Sequence, residues 1–213
     1  PSGLQANTGQ ALPCAVVADD TFTALGLKAG LFTGQGKAFA GEVTLISLLP
    51  VDSELKPLAS LAPQHVHLAP RQAFGHKGSY GHVLVIGGHA QMGGAVMLAA
   101  EAAFHAGAGK VTVVCDAKHH TAILSRAPNI MLRDINQMSL QECEVLVAHV
   151  DAVSFGMGLG RDAWAQQQFD AWFPLIQTSA LQVVLDADAL WFLASKPVKL
   201  GKQVYATPHP GEA

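Results

Sequence analysis

The sequence predicts an α/β protein built around a mostly parallel sheet. From residue 82 onward, short β-branched runs alternate with longer helix-forming segments, and this alternation is typical of β-α-β units. Half of the 213 residues are apolar and only 14% are charged, which indicates a large buried core. Glycine-rich turns directly follow several strand-like runs, as they do where a parallel sheet forms a ligand cleft.

The central β-α-β unit spans residues 82–115. Residues 82–86 form a β-branched run that we predict as a buried strand, residues 95–106 are small and apolar and favour a helix, and residues 110–115 form a second strand. Gly107 and Gly109 end the helix as C-cap glycines do. Because this helix is apolar on nearly all sides, we expect neighbours to cover nearly all of it, at the centre of the sheet.

The other elements follow from the same patterns. Pro174 is expected to end or kink the long helix that Arg161 and Asp162 open. Residues 51–80 are linker-like; His65 and His67 would share a strand face there, but no third metal ligand lies near them in the sequence. The predicted strands comprise residues 16–20, 22–27, 42–49, 152–156, 181–185 and 203–207, and the predicted shorter helices comprise residues 117–127, 140–147 and 189–194.

Charge and composition exclude several classes of protein. The formal net charge of −3 gives no basic footprint for nucleic acid or an acidic membrane, and no apolar run approaches the roughly 20 residues of a membrane span. Three scattered cysteines without CxxC spacing fit a reducing cytoplasm, and Cys14 and Cys115 are expected to be buried. Both ends of the sequence resemble interior segments, so we expect a fragment of a longer protein.

Four predicted loops carry the candidate chemistry at the carboxyl ends of strands. The loop from Gly88 to Gly93 has the glycine spacing of a P-loop but is followed by Gly94 and Ala95, not by Lys and Ser or Thr, so P-loop chemistry is rejected. The start of the helix behind it could still receive an anion. The four loops comprise residues 87–95, 156–160, 186–188 and 207–212.

Individual side chains suggest roles within this cleft. Asp186 and Asp188 could hold a metal or share acid–base work, or Asp186 could cap the following helix. His209 lies between two prolines that fix its backbone, which favours presentation to a ligand. Lys77 lies in a glycine-rich loop before the central strand and could cover an anionic ligand, although a solvated loop is the alternative.

Several motifs in order carry a resemblance to a known family. They are His76-Lys77-Gly78, Val85-Ile86-Gly87-Gly88, Gly94-Ala95, residues 99–103 with 106–109, residues 156–162, residues 185–190 and residues 207–212, with residues 1–4, 6–9 and 27–31 nearer the start. Through these motifs the chain from residue 74 onward resembles the ADP-dependent NAD(P)H-hydrate dehydratases, which have a ribokinase-like fold; Met157 departs from the proline usual in that family. The first fifty residues resemble the end of the Rossmann-like NAD(P)H-hydrate epimerase domain that bacterial bifunctional enzymes carry upstream.

The resemblance implies a domain plan and an activity. Residues 1–52 would be the last part of the epimerase domain, 53–73 a linker, and 74–213 the first part of a three-layer α/β/α dehydratase domain, truncated at its C-terminus. The activity would be ADP-dependent dehydration of the S epimers of hydrated NADH and NADPH (NADHX and NADPHX), with Mg²⁺ expected and ATP as an alternative to ADP. A homo-oligomer, such as a tetramer, is expected.

The resemblance also implies site residues. Ala95, Gly160 and His209 match positions that contact the hydrated nucleotide, and Ser2 matches a potassium-associated epimerase position. The nucleotide-side candidates are Lys77, Gly88, Gly94, Gly158, Asp186 and Glu212. The catalytic Asp is expected beyond Ala213. Two alternatives are a ribokinase-like kinase of a sugar or vitamin precursor and a non-catalytic nucleotide-binding module.

Overall fold

The chain divides into two compact units, Pro1–Ala69 and Pro70–Ala213. The computed structural model describes residues 1–50, 56–59, 61, 70–196, 198–209 and 211–212. His65 and His67 lie outside the described residues. Within the described ranges, no helix combines the length and the apolar character that crossing a membrane requires.

The first unit contains a small parallel β-pair. Strand β1 (Asp20–Ala24) pairs with β2 (Glu42–Ile46), and the short helix α1 (Gly36–Ala40) connects them. The predicted strand at residues 42–49 is confirmed for its first five residues. The predicted strand at residues 16–20 is wrong apart from Asp20, because this segment is held by single contacts such as Ala18 N–H to the Phe39 carbonyl. Cys14 is exposed here, contrary to expectation.

The second unit is a six-stranded parallel sheet. Its strands run in the order β5-β4-β3-β6-β7-β8, which places β3 inside the sheet between β4 and β6. The predicted β-α-β unit is confirmed as β3, α2 and β4. The strands are β3 (His82–Ile86), β4 (Lys110–Cys115), β5 (Met131–Asp134), β6 (Ala152–Phe155), β7 (Gln182–Leu185) and β8 (Val204–Ala206). The helices are α2 (Gly94–His105), α3 (His120–Arg126), α4 (Leu140–Ala148), α5 (Ala163–Gln177) and α6 (Asp188–Ser195).

Side chains from the two faces of the sheet form two separate apolar cores. Leu84 and Ile86 of β3 point into the core that contains α4, α5 and α6, whereas Val85 points into the core that contains α2 and α3. This alternation is the period of two that a strand imposes on its side chains. The sheet is therefore covered by helices on both faces, and the expected three-layer α/β/α arrangement is confirmed.

Three sequence-based expectations for the second unit differ from the structure. Helix α2 buries only Val96 and Ala100, and Leu98 is 59% exposed, because a single face of the helix packs on the sheet. Of the two effects expected of Pro174, an end or a kink in α5, the end is wrong, because the helix continues to Gln177. Pro174 faces solvent, where water can satisfy the carbonyl that has lost its N–H partner, while buried neighbours anchor the helix on both sides of it. Strand β5 was not predicted at all.

Candidate functional site

The loops after β3 and β6 pack directly against each other at the carboxyl edge of the sheet. The Gly88 N–H donates to the Met157 carbonyl at 3.2 Å, and the His89 N–H donates to the Gly158 carbonyl at 2.7 Å. A Cβ on Gly88 would lie 2.9 Å from Val96 and Cys115 atoms, and one on Gly158 would lie 2.4 Å from the Met92 carbonyl oxygen. Close packing therefore explains these two glycines without a ligand.

Gly94 and Ala95 have a different environment. No atom lies within 4 Å of a Cβ built on Gly94, and Ala95 is exposed in the first turn of α2. The first N–H groups of a helix have no partner within the helix, and α2 has no side-chain cap. The start of α2 is therefore the open part of the β3–α2 loop.

Asp188 connects the β6–α5 loop to the start of α6. Its Oδ2 accepts the Gly160 N–H at 2.8 Å, and its Oδ1 accepts from Arg161 Nε at 2.8 Å. Gly160 has φ +85°, a conformation that favours glycine. These contacts hold the Gly160 backbone in place at the carboxyl edge of the sheet.

Asp186 contacts the neighbouring strand end instead. Its Oδ1 accepts from Thr207 Oγ1 at 2.8 Å, so its side chain does not cap α6, whose N-cap residue is Ala187 without a side-chain bond. Ala187 has φ +48°, which is rare for a residue with a side chain. This turn separates the two carboxylates, and each binds a different loop.

His209 and Glu212 form a small closed turn after β8. Nδ1 of His209 accepts from the Gly211 N–H at 3.0 Å, so the neutral ring carries its proton on Nε2, which lies 3.3 Å from Glu212 Oε1. The His209 side chain is 69% exposed. Pro208 and Glu212 also border a cavity of about 290 Å³, whose other lining residues are apolar and come from α6 and the segment after it.

Sequence reasoning missed a polar cluster around His89. Its Nε2 lies 3.3 Å from Asp162 Oδ2, and its ring meets the Trp164 ring edge-on with centroids 5.0 Å apart. Asp162 caps α5 through the Ala165 N–H at 2.9 Å; this N–H bond and the nearby His89 lower the pKa of Asp162. Asp162 was expected to open the helix, but its contact with His89 joins residues 73 positions apart, which no local pattern indicates.

Lys77 does not lie at the carboxyl edge of the sheet, and Ser2 belongs to the first unit. Lys77 belongs to a short 3₁₀ helix (Lys77–Tyr80) directly before β3, and its carbonyl packs on Gly109 before β4. It therefore lies at the amino edge of the sheet, away from Gly94 and Gly160. Ser2 is an exposed residue of the first unit, where its carbonyl accepts from the Val16 N–H.

The described residues contain no group of three or more His, Cys, Asp or Glu side chains that could hold a metal ion. Asp186 and Asp188 are both engaged with protein donors.

A parallel sheet covered by helices on both faces defines an α/β protein, and sheets of this kind bind ligands at the carboxyl edge, where the glycine loops and carboxylates of this chain lie. A family model described as NAD(P)H-hydrate dehydratase matches residues 83–213. The chain belongs to this family.

Relatives and solved structures agree with this assignment. The chain is 38% identical to the bifunctional NAD(P)H-hydrate repair enzyme of Vibrio cholerae, over 100% of this chain and 43% of that protein. A ribokinase-like superfamily protein from Enterococcus faecalis superposes with a TM-score of 0.58 at 30% identity, covering 67% of this chain and 50% of that one. An ADP/ATP-dependent NAD(P)H-hydrate dehydratase from Bacillus subtilis, co-crystallised with ATP and Mg²⁺, gives 0.53 at 28% identity, covering 68% and 50%.

The fold of the second unit is therefore ribokinase-like, as expected. The chain spans about two fifths of the length of the Vibrio cholerae relative.

Proposed function

We propose that the protein carrying this chain dehydrates the S epimers of hydrated NADH and NADPH (NADHX and NADPHX) in a reaction that consumes ADP. The observation that carries the proposal is the carboxyl edge of the family-matched segment. There the start of α2 is open, and Asp188 holds the Gly160 backbone. The two loops meet at Met92, since a Cβ built on Gly160 would lie 3.2 Å from the Met92 Cε. Ala95, Gly160 and His209 are the proposed contacts to the hydrated nucleotide.

The proposed reaction has two steps. The hydroxyl oxygen of the hydrate attacks the β-phosphorus of ADP and gives up its proton to solvent, the bond from that phosphorus to the bridging oxygen breaks, and AMP leaves. The carbon–oxygen bond then breaks as the lone pair of the ring nitrogen moves toward the ring carbon, phosphate departs, and loss of a ring proton restores the reduced nicotinamide. Such phosphoryl transfer depends on positioning and charge stabilisation. The chain's part is to bind and orient the hydrate at Gly160 and the α2 start.

Further elements of the proposal rest on the bifunctional relatives. Residues 1–52 are proposed as the end of an epimerase domain, 53–73 as a linker and 74–213 as part of the dehydratase domain. Ser2 would then belong to a potassium site completed by epimerase residues. Gly94, Asp186 and Glu212 remain the proposed nucleotide-side contacts, and Gly88 and Gly158 would serve the same side by letting the two loops pack closely. Lys77 lies at the amino edge and could act only on a phosphate that reaches that edge. A cytoplasmic homo-oligomer is the proposed state.

Incubation of the protein with hydrated NADPH and ADP tests the proposal. The expected result is recovery of the absorbance of the reduced nicotinamide, dependent on ADP or ATP and on added Mg²⁺. Sugars and vitamin precursors with ATP form the parallel arm. Phosphorylation of one of these, with no recovery from the hydrate, would favour the kinase alternative, and inactivity in both arms with retained nucleotide binding would favour the binding module.

A further inference from the structure

Arg161 is held at the carboxyl edge by two neighbours on α6. Its Nε donates to Asp188 Oδ1 at 2.8 Å, and its guanidinium carbon lies 5.6 Å from the centroid of the Trp191 ring. The Asp188 side chain is only 13% exposed, whereas that of Arg161 is 49% exposed. A nearly buried carboxylate and an aromatic ring thus hold a guanidinium that still faces solvent.

Arg161 and Arg126 differ in which of their nitrogens donate hydrogen bonds. Arg161 donates only through Nε, and its two terminal amino groups make no hydrogen bond with the described residues. Arg126 provides the contrast, because it donates to both oxygens of Glu101 through Nε and a terminal nitrogen, at 2.8 and 2.9 Å. Arg126 thus presents one edge of its guanidinium to a carboxylate in a bidentate pair, whereas Arg161 keeps both terminal amino groups for a ligand, in the planar fork that suits a phosphate.

The position of Arg161 relates it to the proposed ligand site. It follows Gly160 directly, and one carboxylate, Asp188, holds both residues. Because Gly160 is a proposed contact to the hydrated nucleotide, its neighbour Arg161 is a candidate to reach a phosphate of the same ligand. A half-exposed ion pair contributes little to stability, so a purely structural role would not require this arrangement.

We propose that Arg161 binds a phosphate group of the ligand that occupies the cleft, and that Asp188 and Trp191 are positioning residues that hold its guanidinium for this task. The proposal rests on the proposed function for the identity of the ligand. The phosphate belongs either to the pyrophosphate of the hydrated dinucleotide or to ADP. Both have the same chemistry, and the experiment separates them.

Steady-state kinetics of R161Q test the proposal. Hydrogen bonds to a charged group contribute about 1.5–3 kcal/mol, so the KM of one substrate should rise roughly ten- to hundredfold while kcat stays nearly constant. A rise in the KM for the hydrate assigns the dinucleotide pyrophosphate, and a rise in the KM for ADP assigns the nucleotide phosphate. R161K, which keeps the charge but not the fork, should show a smaller rise. Unchanged KM values for both substrates would overturn the proposal.

Two controls and one binding measurement complete the design. R126Q and K196Q also remove a surface cation, so neither should change either KM if the effect is specific to Arg161. D188N leaves the positive charge of Arg161 in place but weakens the hydrogen bond that positions its guanidinium. It should therefore raise the same KM by a smaller factor than R161Q does. The Kd of unhydrated NADPH, measured by fluorescence titration, should rise in R161Q; if Arg161 instead binds ADP, the Kd of ADP rises.

These binding constants separate the two proposals. A wild-type protein that binds nucleotides through Arg161 but does not recover NADPH from its hydrate would contradict the proposed function alone. If the wild-type protein turns over the hydrate and R161Q has the same KM and Kd values as the wild type, only the role of Arg161 is contradicted.

Discussion

The Asp188 carboxylate accepts the Gly160 N–H at 2.8 Å across 28 positions of sequence. The same carboxylate binds Arg161 Nε at 2.8 Å, so one nearly buried side chain fixes the loop after β6 against the start of α6. An unpaired backbone donor in this place would be costly. Asp188 therefore contributes both to the stability of the carboxyl edge of the sheet and to the position of the Gly160 backbone.

D188A is expected to lower the free energy of unfolding by about 2–3 kcal/mol, because it removes the charged acceptor of the Gly160 N–H and leaves that backbone donor without its partner. Chemical denaturation measures this change. D170A is the matched control, since Asp170 pairs with Lys196 where both side chains are more than half exposed; its cost should stay below about 1 kcal/mol. Equal losses in the two variants would contradict the assigned role.

H209A is expected to raise the KM for the hydrate more than the KM for ADP, because His209 is proposed to contact the hydrated nucleotide. Its ring is exposed and oriented by Gly211 and Glu212, so the fold should be unaffected. Initial-rate kinetics with each substrate varied in turn provide the measurement. H105A, at an exposed position in the last turn of α2, should leave both KM values as in the wild type. Equal increases in H209A would argue against a substrate-side histidine.

Stability is expected to fall as the pH drops below about 6.5, the ordinary pKa of histidine. His82 is buried with Nε2 2.8 Å from Thr112 Oγ1, and burial, with a smaller contribution from Lys110, lowers its pKa in the folded state. The unfolded chain therefore binds the proton first, and the free energy of unfolding decreases from pH 6.5 down to the folded pKa.

Denaturation curves at a series of pH values provide the measurement. H82Q should flatten the pH dependence over this range, whereas H105Q should retain the wild-type slope. A slope that persists unchanged in H82Q would assign the effect to other groups.

Thiol labelling of the native protein is expected to modify Cys14 alone. Burial raises the pKa of Cys115 to about 12 and that of Cys143 to about 11, and both side chains are buried, whereas Cys14 is exposed. The thiolate is the reactive form. Ellman's reagent followed by mass spectrometry should locate the label on Cys14, with all three cysteines reacting after denaturation. Rapid native labelling of Cys115 would show that its core is not packed as described.

The sequence predicted the central β-α-β unit because its strands are buried on both faces and its helix is bounded by glycines. Strand β5 escaped prediction because it is a four-residue edge strand, Met-Leu-Arg-Asp, in which exposed and half-buried positions alternate. Polar residues suit such an edge but resemble a loop in sequence.

The candidate site was predicted at the level of its loops and not of its contacts. Glycines and carboxylates after strands indicate a cleft, since parallel strands bring their carboxyl ends to one edge. Whether Asp186 or Asp188 holds Gly160, and whether His89 meets Asp162, depends on long-range packing that local spacing does not encode. Lys77 lies in a motif that is typical of ligand-binding loops, but the structure places this motif at the amino edge of the sheet.

The stoichiometry of the reaction with hydrated NADPH and ADP tests the central claim most directly. Chromatographic separation of the products should show AMP and phosphate in amounts equal to the NADPH recovered, with no recovery when ADP and ATP are both left out. ADP that stays intact while NADPH is recovered, or hydrate that stays unchanged while a sugar or vitamin precursor is phosphorylated, would contradict the account.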